Sequence, residues 1–174
     1  MDWSKALFQV IDLRSFSSVW YWIVLAVTWS SVSHWVLGVP FDLISRARRH
    51  GGQDYADFVD LVRINTRRLL VIAQSAGLII IAFTCFLLTS LAVLGFWYGF
   101  ELAQAIFMLA LPLSAVGAVS LATARKIVDL QPEGDDLFNT LFRHRIWTQV
   151  IGMVAIFVTA MYGMYQNLDV VRGL

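Results

Sequence analysis

The sequence predicts an all-α, polytopic membrane protein: four transmembrane helices in a bundle, with cytoplasmic helical extensions and a short N-terminal amphipathic helix. Three observations predict it. Four apolar stretches, at about residues 19–39, 69–98, 102–124 and 146–165, each reach the roughly 20 residues needed to cross a hydrocarbon core about 30 Å thick. None of the four holds an Asp, Glu, Lys or Arg. Of the 13 basic residues, ten lie in just two of the connecting segments. Composition agrees, with 59% hydrophobic and 14% charged residues and a mean hydropathy of +0.69. Soluble domains average about 45–50% and about 25%, so lipid must solvate much of this surface. The 174 residues read as one membrane domain. A net charge of +1 supplies no field to attract nucleic acid. Cys85 is the single cysteine and lies inside an apolar run, which excludes a disulfide framework and a cysteine metal site within the chain.

Ahead of the first span, Trp3, Leu7, Val10 and Ile11 recur at helical spacing, with Lys5, Asp12 and Arg14 elsewhere on the wheel. This pattern predicts a helix lying on the outer membrane surface. No small-residue cleavage pattern follows the apolar stretch that begins near Ser18, so it is read as a retained span. Apolar runs of this length must be helices, because in lipid each backbone donor and acceptor has to be satisfied within the segment. Cytoplasmic loops retain Lys and Arg during insertion. Segment 40–68 carries Arg46, Arg48, Arg49, Arg63, Arg67 and Arg68, segment 125–145 carries Arg125, Lys126, Arg143 and Arg145, and the turn at 95–101 carries none. Both termini are therefore expected on the non-cytoplasmic side. Trp20, Tyr21, Trp22, Trp35, Trp97, Tyr98 and Trp147 fall near the expected interfaces, where amphipathic rings anchor.

The first cytoplasmic segment holds a helix start. After Gly51 and Gly52, Asp54 is placed to cap, and Tyr55, Phe58, Val59 and Val62 follow the i, i+3, i+4, i+7 template. No Gly or Pro separates Asp54 from Ser75, so the second helix is expected to run unbroken from about Asp54 to Trp97, about 66 Å. The fourth helix repeats the arrangement: Pro132 and Gly134 punctuate, Asp135 or Asp136 caps, and Leu137, Phe138, Leu141 and Phe142 form an apolar face. Two such extensions on one side should pack together. Their apolar faces are then either consumed internally or left as a docking surface.

Inside the membrane, helices associate where small side chains let backbones approach. Ala110, Ser114, Ala118 and Ala122 form an i+4 stripe on the third helix, and Ala155, Thr159 and Gly163 answer on the fourth. The stripe predicts either packing within the bundle or an interface with another chain. Pro112 should bend the third helix, with Ser114 or a neighbouring helix satisfying the freed carbonyl. Gly95 and Gly99 match the same spacing only across a turn. Glu101 and Gln104, at the outer end of the third helix, are expected in solvent. Thr28, Ser30, Ser31, Ser33 and His34 make the inner half of the first span polar; they either line a small cavity or bond to neighbouring helices and their own backbone. His34 and His144 fall near the cytoplasmic ends of two spans, where facing histidines are able to ligate a haem; His144 reads more simply as part of a basic collar with Arg143 and Arg145. No cofactor is expected. Arg46, Arg48, Arg49, Arg63, Arg67 and Arg68 suit anionic lipid or a partner. No phosphate loop, dinucleotide fingerprint, zinc motif or nucleophile elbow occurs, and no charge lies within a span, so neither an enzyme nor a proton-coupled pump is expected.

The stretch RSFSSVWYWIVLAVTWSSVSHWVLGVP at residues 14–40, with the loop at 41–49, resembles a group of small alphaproteobacterial inner-membrane proteins. Some of these carry the label of a component of the Suf iron–sulfur assembly complex. The resemblance covers the first quarter of the chain and the overall length, and contains no motif of known chemistry. It implies a bacterial inner-membrane location, which together with the loop charges puts the expected termini on the periplasmic side. The expected function is that of a non-enzymatic accessory or assembly subunit of a larger membrane-associated complex, in contact with lipid and with either a protein partner or further copies of itself. A homo-oligomeric channel or small-solute transporter is the alternative, and a b-type cytochrome subunit the next.

Overall fold

The structure, a computed structural model, describes Phe16 and residues 18–172, with the backbone alone at residues 167 and 169–172; the expected helix around Trp3, Leu7, Val10 and Ile11 lies outside the described residues. Helix α1 spans Val19–His34 and is followed by a two-stranded hairpin, β1 (Trp35–Val36) and β2 (Val39–Pro40). Helix α2 is Phe41–His50, α3 is Gly52–Ala92 with a π-helical turn at Val93–Trp97, α4 is Glu101–Leu130 and α5 is Gly134–Arg172. Among the described residues, three helices are long and apolar enough to cross a membrane: Gly52–Trp97, Glu101–Leu130 and Gly134–Gln166.

The first apolar stretch behaves differently from expectation. Its helix stops at His34 instead of continuing to Val39, leaving 16 residues, or about 24 Å. Two features stop it. Pro40 disfavours helical geometry at Val39, and Leu37 and Gly38 take φ values of +51° and +74°, the geometry of a tight hairpin turn. Gly38 tolerates this freely, whereas Leu37 bears a strain of about 1–2 kcal/mol. The turn is tied down from outside, because the Asn65 side-chain amide donates to the Gly38 carbonyl at 2.9 Å. Val36 and Val39 pair across the hairpin and are buried.

Segment 41–49, expected as a loop, is helical in α2. Its apolar Ile44 and Ala47 are buried one turn apart, while Arg46, Arg48 and Arg49 face outward. Helix α3 carries the long uninterrupted run foreseen from the absence of Gly and Pro: 41 residues, about 62 Å, before the π turn. Gly51, not Asp54, precedes its first turn, and Asp54 lies within that turn, where a carboxylate favours the helix dipole. In α5 likewise, Asp135 and Asp136 occupy the first turn of a helix that begins at Gly134. Helix α4 ends where Gln131 adopts a left-handed conformation ahead of Pro132.

Two layers of packing follow. At the basic end, Val36, Val39, Ile44, Ala47, Phe58, Val62, Ile127, Leu137, Phe138 and Leu141 form one core. Phe58 stacks face to face on Phe138, with centroids 4.9 Å apart, and the Tyr55 hydroxyl accepts from the Gly134 N–H at 2.9 Å. The two amphipathic extensions thus bury their apolar faces against each other. Phe142, expected on that face, is half exposed instead. In the middle layer, Leu25, Trp29, Val116 and Ala155 join α1, α4 and α5. Helix α3 contributes almost nothing there: no residue from 69 to 90 is buried.

Candidate functional site

At the end remote from the arginines, the polar residues that begin α4 are drawn into the bundle. Gln104, expected in solvent, is 4% exposed; its side-chain N–H donates to the Gly95 carbonyl at 2.7 Å, and its oxygen accepts from Gln166 at 2.8 Å. The cause is Gly95 in the π turn, where a Cβ would stand only 2.9 Å from the Gln104 backbone nitrogen. Glu101 is also engaged, accepting from the Phe16 N–H at 2.7 Å. Around these groups Phe16, Tyr21, Trp22, Phe96 and Tyr162 make edge-to-face ring contacts. Tyr21 donates to the Ala105 carbonyl and Trp22 to that of Phe16. This end is closed by hydrogen bonds and rings, and it fixes the start of α1 against α4 and α5.

Near the basic end, Ser31, Ser120, His144 and Thr148 converge on a pocket of about 300 Å³ bounded by Val32, Trp35 and Val116. Ser120 gives its hydroxyl hydrogen to the Val116 carbonyl at 2.8 Å, so its contact with His144 Nε2 at 3.0 Å is a bond donated by the imidazole. That assignment leaves His144 Nδ1 as a buried lone pair with no hydrogen-bond partner. Thr148 is occupied with the His144 carbonyl. His34, by contrast, is exposed and lies edge-on to Trp35. The two histidines therefore do not line a common pocket, and among the described residues there is no group of three metal-ligating side chains. Ser30 and Ser31 are exposed on α1, and Thr28 and Ser33 partly so; of these, Ser31 lines the pocket beside His144.

The small-residue positions divide. On α5, Ala155 and Thr159 are buried, and Gly163 lies against Phe16 and Trp22. On α4, Ala110 and Ser114 are half-buried, while Ala118 and Ala122 are exposed. The α4 stripe therefore does not pack inside the bundle along its length. Instead Ser114 and Ala118 form one wall of a groove of about 640 Å³ whose other wall holds Ala155 and Thr159, with Pro112 and Trp147 along it. Ser114 donates to the Leu111 carbonyl at 2.6 Å, not to the Met108 carbonyl that Pro112 leaves free.

The six arginines of segment 40–68 gather at one end. Arg46, Arg48 and Arg49 lie on the outer face of α2, and Arg63, Arg67 and Arg68 are exposed on α3. Arg63 pairs with Asp60 at 2.9 Å. Arg145 is the exception, since its guanidinium sits 3.5 Å above the Phe41 ring and its Nε is buried without a hydrogen-bond partner. Gly152, over which the Trp29 ring lies, went unread in the sequence, while Gln104 was expected in solvent and Arg145 only as part of a basic collar. Gly152 and Gln104 had a signal, a lone glycine and a lone amide in apolar helices; the partner of Arg145 had none.

Compared with family models, curated proteins and solved structures, the chain matches none.

Proposed function

We propose that this protein is a non-enzymatic, multi-pass inner-membrane subunit that acts by association, seating a transmembrane helix of a partner protein in the groove between α4 and α5. The groove carries this reading. Helices gain little hydrophobic free energy from meeting in lipid, so close approach of backbones decides where they associate. Ser114, Ala118, Ala155 and Thr159 offer that approach on both walls of an open, apolar channel at the depth of the apolar helices.

The same reading includes four spans with both termini on the non-cytoplasmic side. It is supported by the path of α1, whose Tyr21 bonds to Ala105 near the start of α4 and whose continuation, Val36, joins the core at the basic end. Sixteen helical residues and the first hairpin strand thus run beside α4 from Ala105 to the basic-end core. Further support comes from the union of the two arginine-bearing segments in one layer, as a shared cytoplasmic side requires.

The test is extraction of a tagged chain from its native membrane in mild detergent, with a photo-crosslinking residue at Ala118. Crosslinking to one foreign membrane protein in stoichiometric amount, abolished by Trp at Ser114, is the expected result. A free monomer that crosslinks to lipid alone overturns the proposal. A homo-oligomer turns the reading toward a channel, in which the exposed Ser30 and Ser31 would meet between copies.

A further inference from the structure

We infer that the crevice between α3 and the α4–α5 turn is a binding site for one anionic phospholipid. The crevice has a volume of about 730 Å³ and is graded in polarity along its length. Arg63 and Arg67 stand on the α3 side, and Leu70 and Val71 follow on the same face one turn farther toward the apolar half. One helical turn is about 5.4 Å, which matches the step from a phosphate to the first methylenes of an acyl chain. Val128 supplies the apolar wall opposite on α4, and Glu133 borders the polar mouth.

Charge decides the occupant. Arg63 is half-committed to Asp60, but Arg67 has no ion pair among the described residues and remains available to a phosphate, against the single carboxylate of Glu133. A free phosphate would use the arginines and leave Leu70, Val71 and Val128 uncovered. A helix from another protein would have to place a compensating carboxylate at the arginines, whereas an anionic lipid brings its own charge. A lipid with one anionic phosphate and flexible chains satisfies both ends.

This inference rests on the membrane reading above but not on the partner groove. The experiment uses the purified full-length protein in mild detergent, examined by native mass spectrometry with phosphatidylglycerol or phosphatidylcholine of identical acyl chains. The protein should retain phosphatidylglycerol preferentially. Arg67→Gln should weaken that retention about fivefold, the worth of one cation at an anionic leaflet, and Val71→Trp should abolish it by filling the crevice while both arginines remain. Arg143→Gln, outside the crevice, should leave it unchanged. Equal retention of the two lipids by the unaltered protein overturns the inference without any variant having to fold. Displacement by inorganic phosphate at matched concentration overturns it as well, since the headgroup alone would then suffice. Release of the protein from membranes by carbonate without detergent would sink the membrane reading instead, so the two failures are distinguishable.

Discussion

Gly152 shows how a single missing methyl organises the middle of the bundle. A Cβ there would stand 2.7 Å from the Trp29 ring, a separation that packed carbon atoms do not tolerate. Replacing it with Ala would gain up to about 1 kcal/mol of helix propensity but would cost about 1–3 kcal/mol of overpacking against a rigid indole. Overpacking wins. Gly152→Ala should therefore lower the thermal unfolding midpoint in detergent, and Trp29→Leu in the same chain should recover part of the loss. Gly77 provides the contrast, because nothing stands within 4 Å of its added Cβ; Gly77→Ala should leave the midpoint unchanged or raise it. Equal effects at the two glycines would show that the Trp29 contact is not what Gly152 serves. Gln104 makes the complementary point for polar groups. Buried in an apolar setting, it is tolerable because its amide nitrogen and oxygen both find partners, in Gly95 and Gln166.

At the scale of elements, α3 is two helices of different physical character joined without a break. Its first third carries an apolar stripe that packs on α5 and α2, whereas the stretch from residue 69 to 90 is predominantly apolar and has no fully buried residue. In water such a surface would aggregate, whereas lipid solvates it. On the proposed topology the layer at the basic end lies in water and draws its stability from hydrophobic burial. Phe58→Ala removes the stacked partner of Phe138 and should cost about 3–5 kcal/mol there, without touching the membrane half. Tryptic cleavage at the arginines of α2 should accelerate at least about tenfold through local opening, while the apolar helices stay protected. If cleavage is unchanged, the layer is held by something other than the Phe58–Phe138 core.

For the whole molecule, the decisive question is whether α1 crosses. At about 24 Å it is shorter than the hydrocarbon core, and a chain with three crossing helices would leave its termini on opposite sides. The alignment of α1 from Ala105 to the basic-end core favours crossing, with the hairpin residues completing the distance and aromatic residues at each end of the helix. Epitope tags on the two termini, probed in intact spheroplasts with an impermeant reagent, should both be accessible, while a cysteine at Gln53, in a chain with Cys85→Ser, should not label. One accessible terminus instead of two would mean that α1 does not cross. Labelling at Gln53 would mean that the bundle is inverted relative to its arginines.

The three long apolar helices were legible in the sequence because lipid imposes a rule that depends on run length and charge, since a backbone in hydrocarbon must bond to itself; the first run, interrupted by Gly38 and Pro40, obeys it only to His34. The unbroken α3 was legible for a similar local reason, the absence of Gly and Pro between Asp54 and Ser75. The amphipathic stripes of Tyr55, Phe58 and Val62 and of Leu137, Phe138 and Leu141 pointed to each other because two apolar faces in water have to meet. Helix α2 and the hairpin before it were missed, since Arg46, Arg48 and Arg49 dominate a short segment whose two buried residues acquire meaning only from the core they enter. The candidate site was less legible than the fold. Which wall of α4 stays open, that Gln104 turns inward, and that His34 and His144 part company are set by the rotation of each helix about its own axis. That rotation follows from particular fits between distant residues, Trp29 on Gly152 and Gln104 on Gly95, so composition and periodicity determined which segments are helices, and only tertiary packing decided which faces remain free to bind.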